Sequence, residues 1–158
     1  MASFDYSMLN KQFAKIVSER LGLTLVELNG GGKQPEGTFV AFDIISPYIP
    51  IDEYFDLDDE QAFEAVVSFT IFDVKKTNAL KMAQQLRRVL TQFDVALELN
   101  DNSVIVVEIM PTNIRSIVED VVDKHMVGFD VRLRLLDNYK DETIDQIDLV
   151  NLQKGEID

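Results

Sequence analysis

Four places in this 158-residue chain hold residues that could do chemistry: the single histidine His125, the acidic stretch Asp52–Glu60, the glycine run Gly30-Gly31-Gly32 ahead of Lys33, and the pair Arg87-Arg88. A catalytic histidine needs a nucleophile or an orienting acid placed beside it, and no motif in the chain supplies one. A zinc site at His125 would rest on carboxylates alone, because the chain has no cysteine and no second histidine. Asp52–Glu60 holds six acids in nine residues. Counted as a calcium loop from Asp56, Asp58 and Glu60 fall on ligand positions. Gln61 then stands where the turn needs glycine, and Val67 where the closing acid belongs. The glycine run lacks the spacing of a phosphate loop: Gln34 follows Lys33, and Pro35 and Gly37 oppose a following helix. Residues 29–37 therefore read as a hairpin connector. Arg87 and Arg88 suit the C-terminal end of a helix dipole and read as a solvated helix face.

Composition bounds what remains. The chain carries 28 acids against 15 bases, a net charge of −13 and a sequence pI of about 4.4. Such a surface repels phosphate backbones and disfavours specific nucleic-acid binding. With 46% hydrophobic and 27% charged residues the chain has the make-up of a folded domain. Its apolar runs are strand-sized, well short of the roughly 20 residues of a membrane span. Neither a signal segment nor a disulfide is expected.

The elements that would position any site follow from periodicity. Leu9, Phe13, Ile16, Val17 and Leu21 recur at helical spacing between Ser7, a good N-cap, and Gly22, a good C′ residue. Residues 23–28 read as a short strand. Thr38–Ser46 reads as a longer one with apolar side chains on both faces: Val40, Phe42 and Ile44 on one, Phe39, Ala41 and Ile45 on the other. Two prolines limit regular structure in residues 47–61. Tyr48, Ile49, Ile51, Tyr54 and Phe55 are nonetheless too apolar for a freely solvated loop; they either fold back on their own domain or dock on a neighbouring subunit. Residues 65–72 alternate as a strand, and a helix from Thr77 to Phe93 follows, with Leu80, Ala83, Leu86, Val89, Leu90 and Phe93 on one face.

Residues 96–99 and 104–110 predict a hairpin-like pair whose second strand lies inside a sheet. The spacing from Ile114 to Met126 favours a short helix, although its valines also tolerate a strand. Gly128–Leu136 alternates again, with Phe129, Val131, Leu133 and Leu135 inward and Arg132 and Arg134 outward. The sum is an α+β fold, a mostly antiparallel sheet packed by one long and one shorter helix. Residues 1–137 form one domain, and 138–158 an acidic C-terminal tail or arm.

Three segments carry a family resemblance: TFVAFDIISPYIPI, VVSFTIFDVKKTNALKMAQQLRRVL and TNIRSIVEDVVDKHMVGFDVRLRLLDNY. With the element order they resemble tailed-phage neck or tail terminator proteins over much of residues 1–137. The resemblance implies a tail-terminator-like subunit with no catalytic residue, cofactor or metal. It would form a ring with copies of itself, typically a hexamer, at the top of the tail. That ring would end tail-tube growth, join the tube to the head connector and leave a lumen for DNA, in a virion assembled in the host cytoplasm. Tyr48, Ile49, Ile51, Tyr54, Phe55, Arg132 and Arg134 are the candidates for subunit contact. The alternative expectation is a small non-enzymatic binding or regulatory domain, using the two-faced strand 38–46 and loop 47–61.

Overall fold

A computed structural model describes residues 3–28, 30, 34–51, 61–116 and 124–137. Within them the chain runs α1 (Ser7–Leu21), β1 (Thr24–Glu27), β2 (Phe39–Pro50), β3 (Gln61–Asp73), α2 (Lys76–Thr91), α3 (Phe93–Asp101), β4 (Ile105–Ile109), β5 (Asn113–Ile114) and β6 (His125–Asp137). The strands form one sheet in the order β1-β2-β3-β6-β4, with β5 also paired to β6. Every pairing is antiparallel except β1 with β2, so the α+β expectation with a mostly antiparallel sheet describes the molecule.

The centre of the sheet is β3 and β6, each 13 residues long. They pair without a register shift from Gln61↔Asp137 to Asp73↔His125, a ladder about 40 Å long at roughly 3.3 Å per residue. Their alternation places Phe63, Ala65, Val67, Phe69 and Ile71 of β3 with Val127, Phe129, Val131, Leu133 and Leu135 of β6 in one fully buried layer. Phe69 is its hub, with ring centroids 5.1 Å from Phe13, 5.4 Å from Phe42 and 5.9 Å from Phe129. All three helices bury their apolar stripes in this same cluster: Leu9, Phe13, Ile16 and Val17 from α1, Ala79, Ala83, Leu86, Val89 and Leu90 from α2, and Val95 and Leu99 from α3. Among the described residues, the opposite face of the sheet therefore carries no helix.

Polar contacts fix the helices. Asp5 Oδ1 accepts from the Ser7 N–H (3.0 Å) and hydroxyl (2.6 Å) at the start of α1, so Asp5 does what the sequence reading assigned to Ser7, and Tyr6 occupies the N-cap position. Gly22, at φ 64°, closes α1 in the left-handed conformation, with its N–H on the Ser18 carbonyl. Lys15–Glu98 (3.1 Å) and Arg20–Asp94 (2.7 Å), with Asn102 Nδ2 donating to Gln12 Oε1, lay α1 and α3 side by side in opposite directions. The Arg20 guanidinium holds the Asp94 carboxyl below the usual carboxylate range, and Glu98 raises the Lys15 ammonium.

Several expectations are overturned. The connector after β1 does not close a hairpin: β1 and β2 run parallel, Thr24 opposite Phe39 and Glu27 opposite Phe42, so the two strands start from the same end of the sheet. Lys124 clasps the end of this crossover, donating from Nζ to the carbonyls of Pro35 (3.0 Å) and Gly37 (3.1 Å) while sitting 4.7 Å from the Phe39 ring centroid. Residues 96–99 belong to helix α3, because the chain satisfies the i, i+4 pair Val95 and Leu99 against the core. Among the described residues the strand 105–109 pairs only with β6 and lies at the sheet edge, with Ile105 and Val107 exposed. Leu80 and Phe93 are exposed too; Phe93, at 78%, has left the α2 face because α2 ends at Thr91 and the chain bends at Gln92. Arg87 is partly buried, its guanidinium donating to the Met110 carbonyl and lying 5.3 Å from the Phe129 ring centroid, so it ties α2 to the sheet instead of facing solvent. Ile114, His125 and Met126 lie in strands, not at the ends of a helix, while 117–123 are outside the described residues.

Candidate subunit interface

The helix-free face of the sheet is read through its register. One row crosses it as Ile49, Glu64, Arg134 and Ile105, and the next as Ser46, Val66, Arg132 and Glu108. Glu64, whose side chain is 12% exposed, sits between the two arginines: Oε2 accepts from Arg134 Nη2 at 3.1 Å, and Oε1 lies 4.0 Å from Arg132 Nη1. Three of the residues singled out from sequence, Ile49, Arg132 and Arg134, thus share one small patch. Their common partner Glu64 was not anticipated, because only the pairing of β3 with β6 brings it there.

The other candidates separate. Pro47–Pro50 continue β2 through two register shifts, so the prolines bend the strand without ending it. Tyr48 turns toward the helix side, its ring stacked on Phe63 at 4.5 Å, and the Tyr6 hydroxyl donates to the Pro47 carbonyl at 2.7 Å. Burial raises the Tyr6 phenol above its ordinary pKa. Tyr48 is still 46% exposed and Ile51 38%. Tyr54, Phe55 and the acids of the calcium reading fall in 52–60, outside the described residues, as does the tail 138–158.

Two polar clusters that sequence reasoning missed organise the same sheet. Arg115, just beyond β5, lies across the helix-free face. It donates to Ser68 Oγ (2.5 Å), Thr70 Oγ1 (2.9 Å), Asp130 Oδ1 (2.8 Å) and Asn113 Oδ1 (2.8 Å). These bonds satisfy hydroxyls on β3 that are only 8% exposed, and tie β5 to β3 across β6. Beside the cluster is an open recess of about 240 Å³ lined by Leu28, Ala41, Asp43, Ile45, Phe72 and Arg115 among others. The second cluster is at the β3–α2 junction, where Asp73, 3% exposed, accepts from the Thr38 hydroxyl, the Asn78 amide and the Lys75 N–H (2.7 Å). Burial pushes its carboxyl up, but these hydrogen bonds outweigh burial and hold it below the usual range. In both clusters the charged group is held by several hydrogen bonds; the Arg115 cluster stays partly open to solvent, with the Arg115 and Asp130 side chains 22% and 30% exposed, whereas Asp73 is closed off.

Among the described residues no three His, Cys, Asp or Glu side chains are grouped to hold a metal ion, and no helix is long and apolar enough to cross a membrane. His125 lies in β6 opposite Asp73, and among the described residues no nucleophile is in hydrogen-bond contact with it. This face presents two outward arginines around a shared carboxylate, flanked by Ile49 and Ile105, with Ile45 and Leu28 exposed on it.

Comparison with known proteins adds one finding. The family model described as phage neck terminator protein matches residues 9–157. None of the curated proteins searched matches the chain.

Proposed function

Because the chain belongs to the phage neck terminator proteins, we infer that it works by assembly, as a structural subunit of a ring at the top of the phage tail. The observation that carries this reading is the family match, which spans nearly the whole chain. The ring ends growth of the tail tube and joins it to the head connector, and the genome passes through its lumen. An acidic subunit suits that position, since few cations are offered to passing phosphates and affinity for nucleic acid scales with such contacts. The helix-free face of the sheet, with the Glu64–Arg132–Arg134 fork, and the exposed Tyr48 and Ile51 offer surface for contacts that a cyclic assembly would repeat from subunit to subunit.

Electron microscopy of the purified protein, alone and mixed with tail-tube protein, tests this. A ring with a central hole is expected. Light scattering that shows monomer alone at high concentration, together with no association with tube or connector subunits, overturns the reading. A second reading, a small binding domain, draws on the recess beside Ala41, Asp43 and Ile45. Under it the same images show discrete monomers.

A further inference from the structure

The sheet is open beyond β4. Among the described residues no strand pairs with its outer side, which leaves backbone N–H and C=O groups there without a ladder partner. An open groove of about 580 Å³ follows this edge, walled on the helix side by Leu90, Leu97 and Leu99. All five residues of β4, 105–109, line it. Successive strand side chains point to opposite faces, so a groove that touches all five runs along the edge itself. The register agrees. Val106 and Ile109 stand opposite the buried Leu133 and Val131 on the helix side, and Ile105 stands opposite Arg134 on the other. Apolar surface is exposed on both sides of the edge, Leu97 at 50% among the helices and Ile105 at 49% on the helix-free face. A strand that covered it would need apolar side chains on both of its own faces.

The C-terminal tail supplies such a segment. In extended form residues 147–152, IDLVNL, set Ile147 and Leu149 on one face and Val150 and Leu152 on the other. They carry a single charge, Asp148, and neither glycine nor proline interrupts them. The tail also starts close by. β6 ends at Asp137, three residues past Arg134, which pairs with Ile105 at the start of β4. The open edge is two strand spacings from β6, about 10 Å. Residues 138–146 reach up to about 30 Å, enough to round the start of β4 and bring 147–152 alongside. The family match runs through this tail to residue 157, so the segment is part of the matched sequence.

We propose that residues 147–152 add to the outer edge of β4 in the same chain, as a further strand parallel to it, and fill the groove beside α3. The main chain supplies the hydrogen bonds, one face of the added strand meets Leu97 and the other meets Ile105. The tail is then a guard. An edge strand with apolar flanks is a template for pairing with stray strands, and a covering strand removes it. This goes beyond the assembly reading and holds for a single subunit, whether or not copies form a ring.

Hydrogen exchange on the full chain, read by mass spectrometry, tests it. In the wild type, residues 147–152 and the outward amides of β4 are expected to exchange at least about tenfold more slowly than a free chain. Leu149→Asp with Val150→Asp should return β4 to fast exchange and leave the centres of β3 and β6 as they were. Leu97→Asp should release 147–152, and Ile105→Asp, on the opposite face, should do the same. Both groove positions are half-exposed, and thermal melting verifies that each variant folds. Free-chain exchange of 147–152 in the wild type overturns the proposal. Slow exchange there that is indifferent to both groove variants puts the tail elsewhere and overturns it too. In the last arm the tail variant and Leu97→Asp are refolded together from urea. No change is expected, because each chain lacks one half of its own contact. Return of slow exchange in the intact tail shows it entering a neighbour's groove, which overturns docking within one chain.

Discussion

Replacing Gly128 by alanine puts the β3–β6 ladder under a defined load. Gly128 pairs with Thr70 on one side and Asn113 on the other, in the middle of the sheet. A Cβ built there stands 2.2 Å from the Phe69 carbonyl oxygen and 2.9 Å from the Thr70 Cα. Ordinary contact begins near 3.4 Å, so the β3 backbone must retreat by more than 1 Å. Both obstructing atoms are main chain, and no rotamer change relieves them. A displacement of that size disrupts the ladder hydrogen bonds flanking the site, each contributing about 0.5–1.5 kcal/mol net. Overpacking adds strain of about 1–3 kcal/mol. The expected loss is about 2–4 kcal/mol, which lowers Tm by roughly 5–15 °C in a chain of this length. Urea unfolding followed by circular dichroism should show a lower midpoint with an unchanged m-value. Gly22→Ala is the internal comparison. Space there is open and only the left-handed backbone resists a side chain, so about 1 kcal/mol is expected. Adding Thr70→Ala to Gly128→Ala should not restore stability. A Tm for Gly128→Ala within about 1 °C of wild type, or recovery on truncating Thr70, would refute the close approach of the two backbones.

Three further outcomes are expected. Arg115→Ala strips the partners from Ser68, Thr70 and Asp130 and should lower unfolding free energy by about 1–3 kcal/mol in urea; Arg115→Lys should recover little, since one ammonium cannot reach the same four acceptors. Asp73 has a depressed carboxyl pKa in the folded state, so the stability it adds is fully present above the ordinary aspartate value of about 3.9 and is lost as pH falls through its folded value. Asp73→Asn should therefore destabilise the protein by about 1–3 kcal/mol at pH 7 and flatten the decline of Tm between about pH 4 and pH 2, measured by thermal melts across that range. Phe69→Ala empties the hub of the aromatic core and should lower stability by about 3–5 kcal/mol, measured by the same urea titration.

What could be read from the sequence was what periodicity encodes locally. The stripe from Leu9 to Val17 and the alternation through β3 and β6 each match a single template over many residues, so α1, α2 and the two central strands were legible. α3 was not, because Phe93, Val95, Leu97 and Leu99 alternate like a strand while Val95 and Leu99 also share one helical face. In nine residues both templates fit, and packing against Val89, Leu90 and Val104 decides. The parallel run of β1 with β2 was hidden for a different reason. A connector rich in glycine and proline serves a hairpin or a crossover equally, and β3 on the other edge of β2 settles which edge β1 takes but not its direction. At the candidate interface, the outward face of Arg132 and Arg134 was legible from alternation, but Glu64 as their shared partner depends on a register between residues 70 apart. Arg115 carried no local signal, since its acceptors lie on β3, on β6 and at Asn113.

The clamping of β6 on both edges has a mechanical consequence. Its hydrogen bonds to β3, and to β4 and then β5 on the other side, stand perpendicular to the strand. A pull applied along the strand at Asp137 therefore shears the whole ladder at once, so that thirteen register pairs share the load. A pull across the sheet at β1, held by four pairs to β2, opens them one after another. The sheet is thus stiff along its strands and weak at that short outer edge. Tension carried through the end of β6 passes into β3 and the aromatic core beneath it before any single bond bears it alone.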